Sequence, residues 1–366
     1  MAVPLLDMKR QYVKIKDEID RAVINVLEHG RFIFGPEVTA LEEKLAAFSG
    51  VKYGIGVASG TDALLLSLRA AGVKPGDEVI TSDYSFISST TVISRVGAIP
   101  VFVDIDPDTF NINPKLIEKA ITKKTRVIMP VHLFGQCADM DPIMAIAKKH
   151  NLVIIEDAAQ SLGAKYKNRM AGSFEGYGCT SFYPTKNLGG AGDGGMVVTD
   201  NADYADRLKM FRNHGWKQKY HPTEIGYNSR LDSIQAAILL VKLKYLNEAN
   251  EGRRAHAAKY DKAFAGTRVR TPKAKDYSYH IYNQYTIAVE NRDELLKGLE
   301  ARKIGHEVYY PVPFHLLECY PDLPYKKGDF PHSEWAADSV VSIPVYPELT
   351  DAEQDEVIEA IKEISG

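Results

Sequence analysis

From Lys52 to Asp157, short apolar runs alternate with amphipathic stretches, and this rhythm limits what the chain can fold into. "KYGIGVAS" reads as a strand, and "TDALLLSLRAAG" as a helix that Thr61 can cap and Gly72 can end. The strands "DEVITS", "IPVFVDID", "RVIMPVHL" and "LVIIED" then alternate with the helical segments "SSTTVISRVG", "PKLIEKAITK" and "DPIMAIAKKH". Strand–helix–strand at this spacing means an α/β fold with a mostly parallel sheet covered by helices on both faces. In such sheets ligands sit outside the C-terminal ends of the strands, so those ends hold the candidate residues.

After "MVVTD" the pattern turns helical over "NSRLDSIQAAILLVKLKYLNEANEGRRAHAAKYDKAF", a stretch long enough that a bend is expected. The remainder reads as a smaller α+β unit: strand "YTIAV", helix "NRDELLKGLEARK", strand "HEVYYP" and helix "TDAEQDEVIEAIKEI". Thr350 and Glu353 stand at capping-box spacing before the last helix. With 366 residues, two domains are expected: a large one over 1–250 and a small C-terminal one over 251–366.

The net charge of −3 comes from acids and bases mixed along the chain, without the clustered basic face of a nucleic-acid binder. Three dispersed cysteines, Cys137, Cys179 and Cys319, form neither a C-x-x-C nor a metal spacing. They read as idle thiols in a reducing compartment. The N-terminal residues lack a signal-peptide core, and "IQAAILLVKLKYL" is too short and too charged to span a bilayer. The expectation is a cytoplasmic protein with no metal, membrane or nucleic-acid partner.

"TSFYPTKNLGGAGDGG", from Thr180 to Gly195, sets one lysine among glycines. "GAGDGG" has the spacing G-x-G-x-x-G, but a β-branched run follows it where a dinucleotide site needs a helix. A nicotinamide oxidoreductase is therefore a weak reading. The strand ends offer a better one. "LVIIED" ends in Asp157, a buried carboxylate that needs a cationic partner. "TSFYPTK" delivers Ser181 and Lys186. Ser59, Gly60, Thr61 and Asp62 stand at a helix N-terminus suited to an anion, and Phe86 lies on the next loop. Taken alone, each has an ordinary explanation as a cap, core or surface residue. Together they suit pyridoxal phosphate, which needs phosphate donors, a lysine amine for a Schiff base, a carboxylate at its ring nitrogen and a flat surface.

With "VASGTDAL", "VFVDIDPDTFNI", "PVHLFGQCADMD", "EDAAQS", "SFYPTKNLGGAGDGG", "GYNSRLD" and "YYPVPFHL", the chain resembles sugar aminotransferases of the DegT/StrS type, among the fold type I pyridoxal phosphate enzymes. The resemblance implies that Lys186 carries the cofactor and shuttles a proton, and that Asp157 pairs with the ring nitrogen. It places Gln160 near the cofactor's phenolic oxygen, Gly60, Thr61, Asp62 and Ser181 around the phosphate, and Phe86 on the ring. Asn228 would reach the phosphate site of a second subunit; its alternative is to cap its own helix. Gly30, Phe32, Thr185, Arg230, Tyr309 and Tyr310 would face the sugar nucleotide, with His315 a further candidate. In this reading the glycines form a flexible, tightly turned stretch beside the lysine.

The implied reaction moves an amine from glutamate through pyridoxamine 5'-phosphate to a nucleotide-linked keto-hexose, in a homodimer with shared sites. The motifs look most like members that aminate C3 of UDP-linked 2-acetamido-3-keto sugars or their uronates, for cell-surface polysaccharide or lipopolysaccharide. Amination at C4 of a UDP or dTDP sugar is the alternative. Tyr309 stands where some uronate-acting relatives carry histidine, which puts a carboxylate partner in doubt. Two further readings are weaker. A dehydratase of this family carries histidine in place of Lys186, and a non-catalytic sugar-nucleotide regulator has no need of lysine, aspartate and cradle together.

Overall fold

In the computed structural model, which describes residues 2–365, the chain opens with two helices outside the alternating region, α1 (Met8–His29) and α2 (Pro36–Ser49). The alternating region follows as β1 (Tyr53–Val57), α3 (Gly60–Ala70), β2 (Glu78–Ser82), α4 (Ser88–Arg95), β3 (Ile99–Val103), α5 (Pro114–Ala120), β4 (Thr125–Met129), α6 (Met140–His150) and β5 (Val153–Asp157). A small hairpin, β6 (Lys165–Tyr166) and β7 (Arg169–Met170), precedes β8 (Tyr177–Ser181) and β9 (Gly195–Thr199). Next come α7 (Ala202–Phe211), the hairpin β10 (Trp216–Gln218) with β11 (His221–Pro222), and the helices α8 (Ser233–Leu243) and α9 (Leu246–Phe264). The chain ends through β12 (Ser278–Tyr279), β13 (Tyr285–Ala288), α10 (Arg292–Ala301), α11 (Pro331–Ser339), β14 (Val340–Ile343) and α12 (Asp351–Ser365).

Seven strands form the main sheet in the order β1-β9-β8-β5-β4-β2-β3. Only β9 runs against the others, pairing antiparallel with both β1 and β8. The continuous apolar runs in these strands follow from burial on both faces. Val79, Val127 and Ile155 face one core with α3, α4 and α7, while their neighbours Ile80, Ile128 and Ile154 face another with α5 and α6.

The expected long helical stretch breaks at Lys244 and Tyr245 between α8 and α9. α9 begins in the core of α2 and α8 through Leu246 and ends in the C-terminal core through Ala257, Tyr260 and Phe264. The boundary expected near residue 250 thus falls inside a helix shared by two cores. Val3 also belongs to the C-terminal core and bridges to Ile304. The capping box forms as expected: Thr350 N–H donates to Glu353 at 2.9 Å, and Glu353 N–H to Thr350 Oγ1 at 3.3 Å.

Two local expectations are corrected. "HEVYYP" forms no strand; it makes one bridge, Glu307 to Ser342, and leaves extended geometry at Tyr310, whose φ is +59°. Thr61 does not cap α3. The helix begins one residue earlier, and Ser59 Oγ accepts from Asp62 N–H at 3.0 Å. The cap must leave the helical conformation, and Ser59, at φ −163°, is the residue that does.

Candidate active site

The C-terminal ends of β1, β5 and β8 and the β2–α4 loop open into one cavity of about 470 Å³, within the range of small-molecule sites. Its lining includes Gly60, Thr61, Phe86, Asp157, Gln160, Ser181, Thr185, Lys186, Tyr309 and Tyr310. The structure thus brings ten of the candidate residues to one place.

At the start of α3, the backbone N–H groups of Gly60 and Thr61 have no acceptor among the described residues. They form an anion cradle strengthened by the helix dipole. A Cβ on Gly60 would lie 2.6 Å from Ser181 Cβ, so only glycine lets the cradle close against β8. Thr61 Oγ1 shares a hydrogen with Ser88 Oγ at 2.7 Å, and Ser181 Oγ accepts from Tyr183 N–H at 3.2 Å, leaving its own O–H to donate.

Asp157 ends β5 and is buried. Its Oδ2 accepts from Ser89 Oγ at 2.7 Å and its Oδ1 from Ala159 N–H at 3.2 Å, so the charge is supported but keeps capacity for another donor. Gln160 Oε1 accepts from Phe134 N–H and its Nε2 donates to Tyr310 Oη, both at 2.7 Å. Phe86 is half exposed at the mouth.

Lys186 follows a tight turn in which its N–H donates to Tyr183 O at 2.9 Å. Its Nζ makes no hydrogen bond among the described residues. Burial pulls its pKa down to about 8, while the charge of Asp157 acts the other way. The turn is anchored at Asn187, which donates to Asn250 Oδ1 at 2.6 Å and accepts from Asn283 Nδ2 at 2.8 Å.

The following glycines are not needed for left-handed backbone. None of those from Gly189 to Gly195 has a positive φ. They are required by crowding: a Cβ on Gly189 would lie 2.1 Å from Pro184 O, and one on Gly195 2.4 Å from the Ser59 carbonyl. α8 braces the stretch, with Gln235 Oε1 accepting from Ala191 N–H at 2.8 Å and Lys242 Nζ donating to Gly189 O.

The remaining candidates lie elsewhere. Asp62 turns its carboxylate to Ser229 Oγ, 2.7 Å away, and does not line the cavity. The helix geometry presents Gly60 and Thr61 to the cavity and Asp62 to the neighbouring loop. His315 is enclosed between Asp83 and Glu334 rather than open to a sugar. Gly30 caps α1 with φ +69°, and Phe32 and Asn228 are exposed. Among the described residues, Arg230 hydrogen-bonds only to Asn213 Oδ1, at 3.4 Å. None of these four lines the cavity of this chain. Asn228 does not cap α8, because Asp232 does so by accepting from Gln235 N–H at 2.9 Å.

Sequence reading missed Ser89 and the role of Ser59 as the cap, and also Tyr183, Asp193 and Gln284, which line the cavity. The hydroxyl run "SFISST" was the available sign for Ser89, since a buried strand-end carboxylate needs a nearby donor.

A free N-terminal cradle, a glycine closure, an uncommitted lysine amine and a supported carboxylate are the groups that pyridoxal phosphate needs, and they fit it. The profile of the DegT/DnrJ/EryC1/StrS aminotransferase family matches residues 13–362. A Geobacillus stearothermophilus protein named pleiotropic regulatory protein is 49% identical over 99% of this chain and 98% of its own length. The UDP-2-acetamido-2-deoxy-3-oxo-D-glucuronate aminotransferase of Pseudomonas aeruginosa is 43% identical over 96% and 97% of the two chains. Among solved structures, S. venezuelae DesV in complex with a ketimine intermediate superposes with a TM-score of 0.97 at 42% identity, covering 99% of this chain and 98% of that one. The sugar aminotransferase Spr1654 from Streptococcus pneumoniae, described as putative and solved in its PLP form, superposes at 0.90 with 28% identity, over 95% and 96%. The chain belongs to the DegT/DnrJ/EryC1/StrS aminotransferase family, and it is a pyridoxal phosphate-dependent sugar aminotransferase.

Proposed function

We propose that this aminotransferase moves the amine of glutamate to C3 of a UDP-linked 2-acetamido-3-keto hexose or its uronate, in the cytoplasm, for a cell-surface polysaccharide or lipopolysaccharide. The observation that carries the reading is the meeting of Lys186 and Asp157 in one cavity with the open N-terminus of α3. The relative acting on a UDP-linked 3-oxo sugar supports the choice of position and nucleotide.

The bound cofactor supplies a carbonyl that exchanges amines and a ring that withdraws electrons. Lys186 Nζ would hold it and, as the free amine, would move a proton to and from the reacting carbon of each substrate. The lowered pKa suits that role, since a sizeable fraction of the amine is neutral near pH 8. Asp157 holds the proton of the ring nitrogen, and Ser89 keeps the carboxylate aimed. Gly60, Thr61 and Ser181 hold the phosphate. Gln160 stands beside the phenolic oxygen, with Phe86 against the ring. Thr185, Tyr309 and Tyr310 face the sugar.

The unit we propose is a two-fold dimer, in which Gly30, Phe32, Asn228 and Arg230 complete the partner's site. Its support is their surface position beside exposed Ile33, Phe34, Tyr220 and Ile225. A regulator's name on one relative does not displace catalysis, because sensing alone needs no uncommitted lysine opposite a supported carboxylate.

Purified protein should be yellow, and glutamate should bleach the band. Turnover should then appear with 3-keto UDP sugars and exceed that with 4-keto UDP or dTDP sugars. Bleaching without sugar turnover would defeat the substrate assignment, and a colourless protein that takes up no cofactor would defeat the site.

A further inference from the structure

His315 lies where two segments that border the cavity meet α11. Asp83, which directly follows β2, is fully enclosed and faces it in three ways. Asp83 O accepts from Phe314 N–H at 2.9 Å, Asp83 Oδ1 accepts from His315 N–H at 2.9 Å, and Asp83 Oδ2 lies 2.6 Å from His315 Nδ1. On the other side of the ring, His315 Nε2 is 3.1 Å from Glu334 Oε1. Neither ring nitrogen is exposed to solvent. With both carboxylates ionised their oxygens only accept, so the imidazolium, which donates from both nitrogens, is the form of the ring that satisfies both contacts.

The chain on each side of this contact leads into the cavity. Two and three residues after Asp83, Ser85 and Phe86 line it, and five and six residues before His315, so do Tyr310 and Tyr309. Tyr84 ties the two segments a second time. Its Oη donates to Tyr309 O at 3.0 Å, and its ring meets that of Tyr310 edge-on at 5.5 Å. Glu334 is fixed in turn, because Asp104, just after β3, accepts from the N–H groups of His332 and Ser333 at 3.0 and 2.9 Å.

We propose that His315 is a positioning residue: held as a cation between Asp83 and Glu334, it locks the Tyr309–Tyr310 wall to the loop bearing Phe86 and so sets the width of the sugar end of the cavity. The identity of that end rests on the function proposed above; the lock itself does not. Burial pulls the His315 pKa down, but the two carboxylates outweigh it and leave the pKa above the ordinary histidine value. Burial raises the Asp83 pKa to about 6 against the pull of His315, with Asp104 adding a small repulsion. The Phe330 ring is also tilted against the imidazole at 4.8 Å, and the Tyr325 phenol interacts electrostatically with Asp83. The lock therefore holds between the Asp83 pKa of about 6 and the His315 pKa, and it opens as pH rises through the latter.

Hydrogen exchange on the whole protein without substrate tests this, using protection factors corrected for intrinsic rates. His315→Gln should lower protection about tenfold or more in both 84–89 and 309–317, while β14 is unchanged. In the wild type, protection of both segments should fall as pH rises through the His315 pKa, and the variant should lack that step. Exchange that rises only at 314–317, or a pH step that survives in His315→Gln, overturns the proposal. If that variant does not fold, Glu334→Gln leaves the Asp83 contacts intact and should loosen the same two segments by less; no change in either overturns it too. With a turned-over sugar nucleotide, KM should rise more than kcat falls, and a drop confined to kcat argues against a role in cavity width. The exchange result stands whether or not the proposed sugar is the substrate, so the two ideas fail separately.

Discussion

The two ends of the cavity are built differently. The cofactor end is made from strand termini and a helix start of one chain, and its polar groups are mostly partnered: Asp157 by Ser89 and Ala159, Gln160 by Phe134 and Tyr310. The outer end is made of loops. Phe86 and Tyr183 are half exposed; outside the cavity, Gly30, Phe32 and Asn228 are exposed and Arg230 is half-buried. Chemistry common to all substrates sits on strand ends and a helix start, whereas selection among sugars is left, as we propose, to loops and a second subunit.

The comparison breaks first at Lys186. Lys186→Ala should abolish multiple turnover while the protein stays folded, because its Nζ makes no hydrogen bond among the described residues. Retained turnover without added amine would remove the cofactor end as the seat of chemistry. Asp157→Asn should still bind cofactor yet lower kcat by orders of magnitude, about 10²-fold or more. A rate near wild type would show that the ring nitrogen is served elsewhere.

The split between one chain and two is tested by mixing inactive Lys186→Ala with inactive Asn228→Asp subunits. With shared sites and random exchange, activity should return to about a quarter of wild type. Confirmed exchange with no activity would put each site within one chain. A smaller effect sharpens the cofactor end alone. The rate at which apoprotein takes up pyridoxal phosphate should rise with pH and level off above about 8, where Lys186 is neutral. A plateau reached only near pH 10 would mean that burial does not tune the amine. At the outer end, Tyr309→Phe should raise KM for the sugar nucleotide by about tenfold or less and leave glutamate bleaching intact. A large loss of bleaching would place Tyr309 in the chemistry instead.

What the sequence made legible follows the same division. Apolar runs and their endings are local, so the sheet, Asp157, Lys186 and the α3 cradle were readable from neighbours in the chain. Thr61 was read as the cap in place of Ser59 because a cap is decided by which residue leaves the helix, and two hydroxyl residues separated by one glycine offer the same signal. The failed strand at "HEVYYP" shows tertiary override. Tyr310 takes a positive φ where its phenol meets Gln160, and alternation in sequence cannot announce that. His315 was beyond reach for another reason: its partner Asp83 is 232 positions away, so nothing nearby marks it as buried rather than substrate-facing.

The crowded glycine stretch has a consequence for how such an enzyme can change. At Gly189 and Gly195 any added side chain collides with backbone, which cannot rotate aside as a flexible side chain would. Substitution there is closed to drift and to design alike, and it takes the lysine turn with it. Tyr183, Gln284 and Tyr309 stand on the same cavity with room for other side chains to be tried. A library intended to redirect the enzyme to new sugars belongs at those three positions, with 189–195 left untouched.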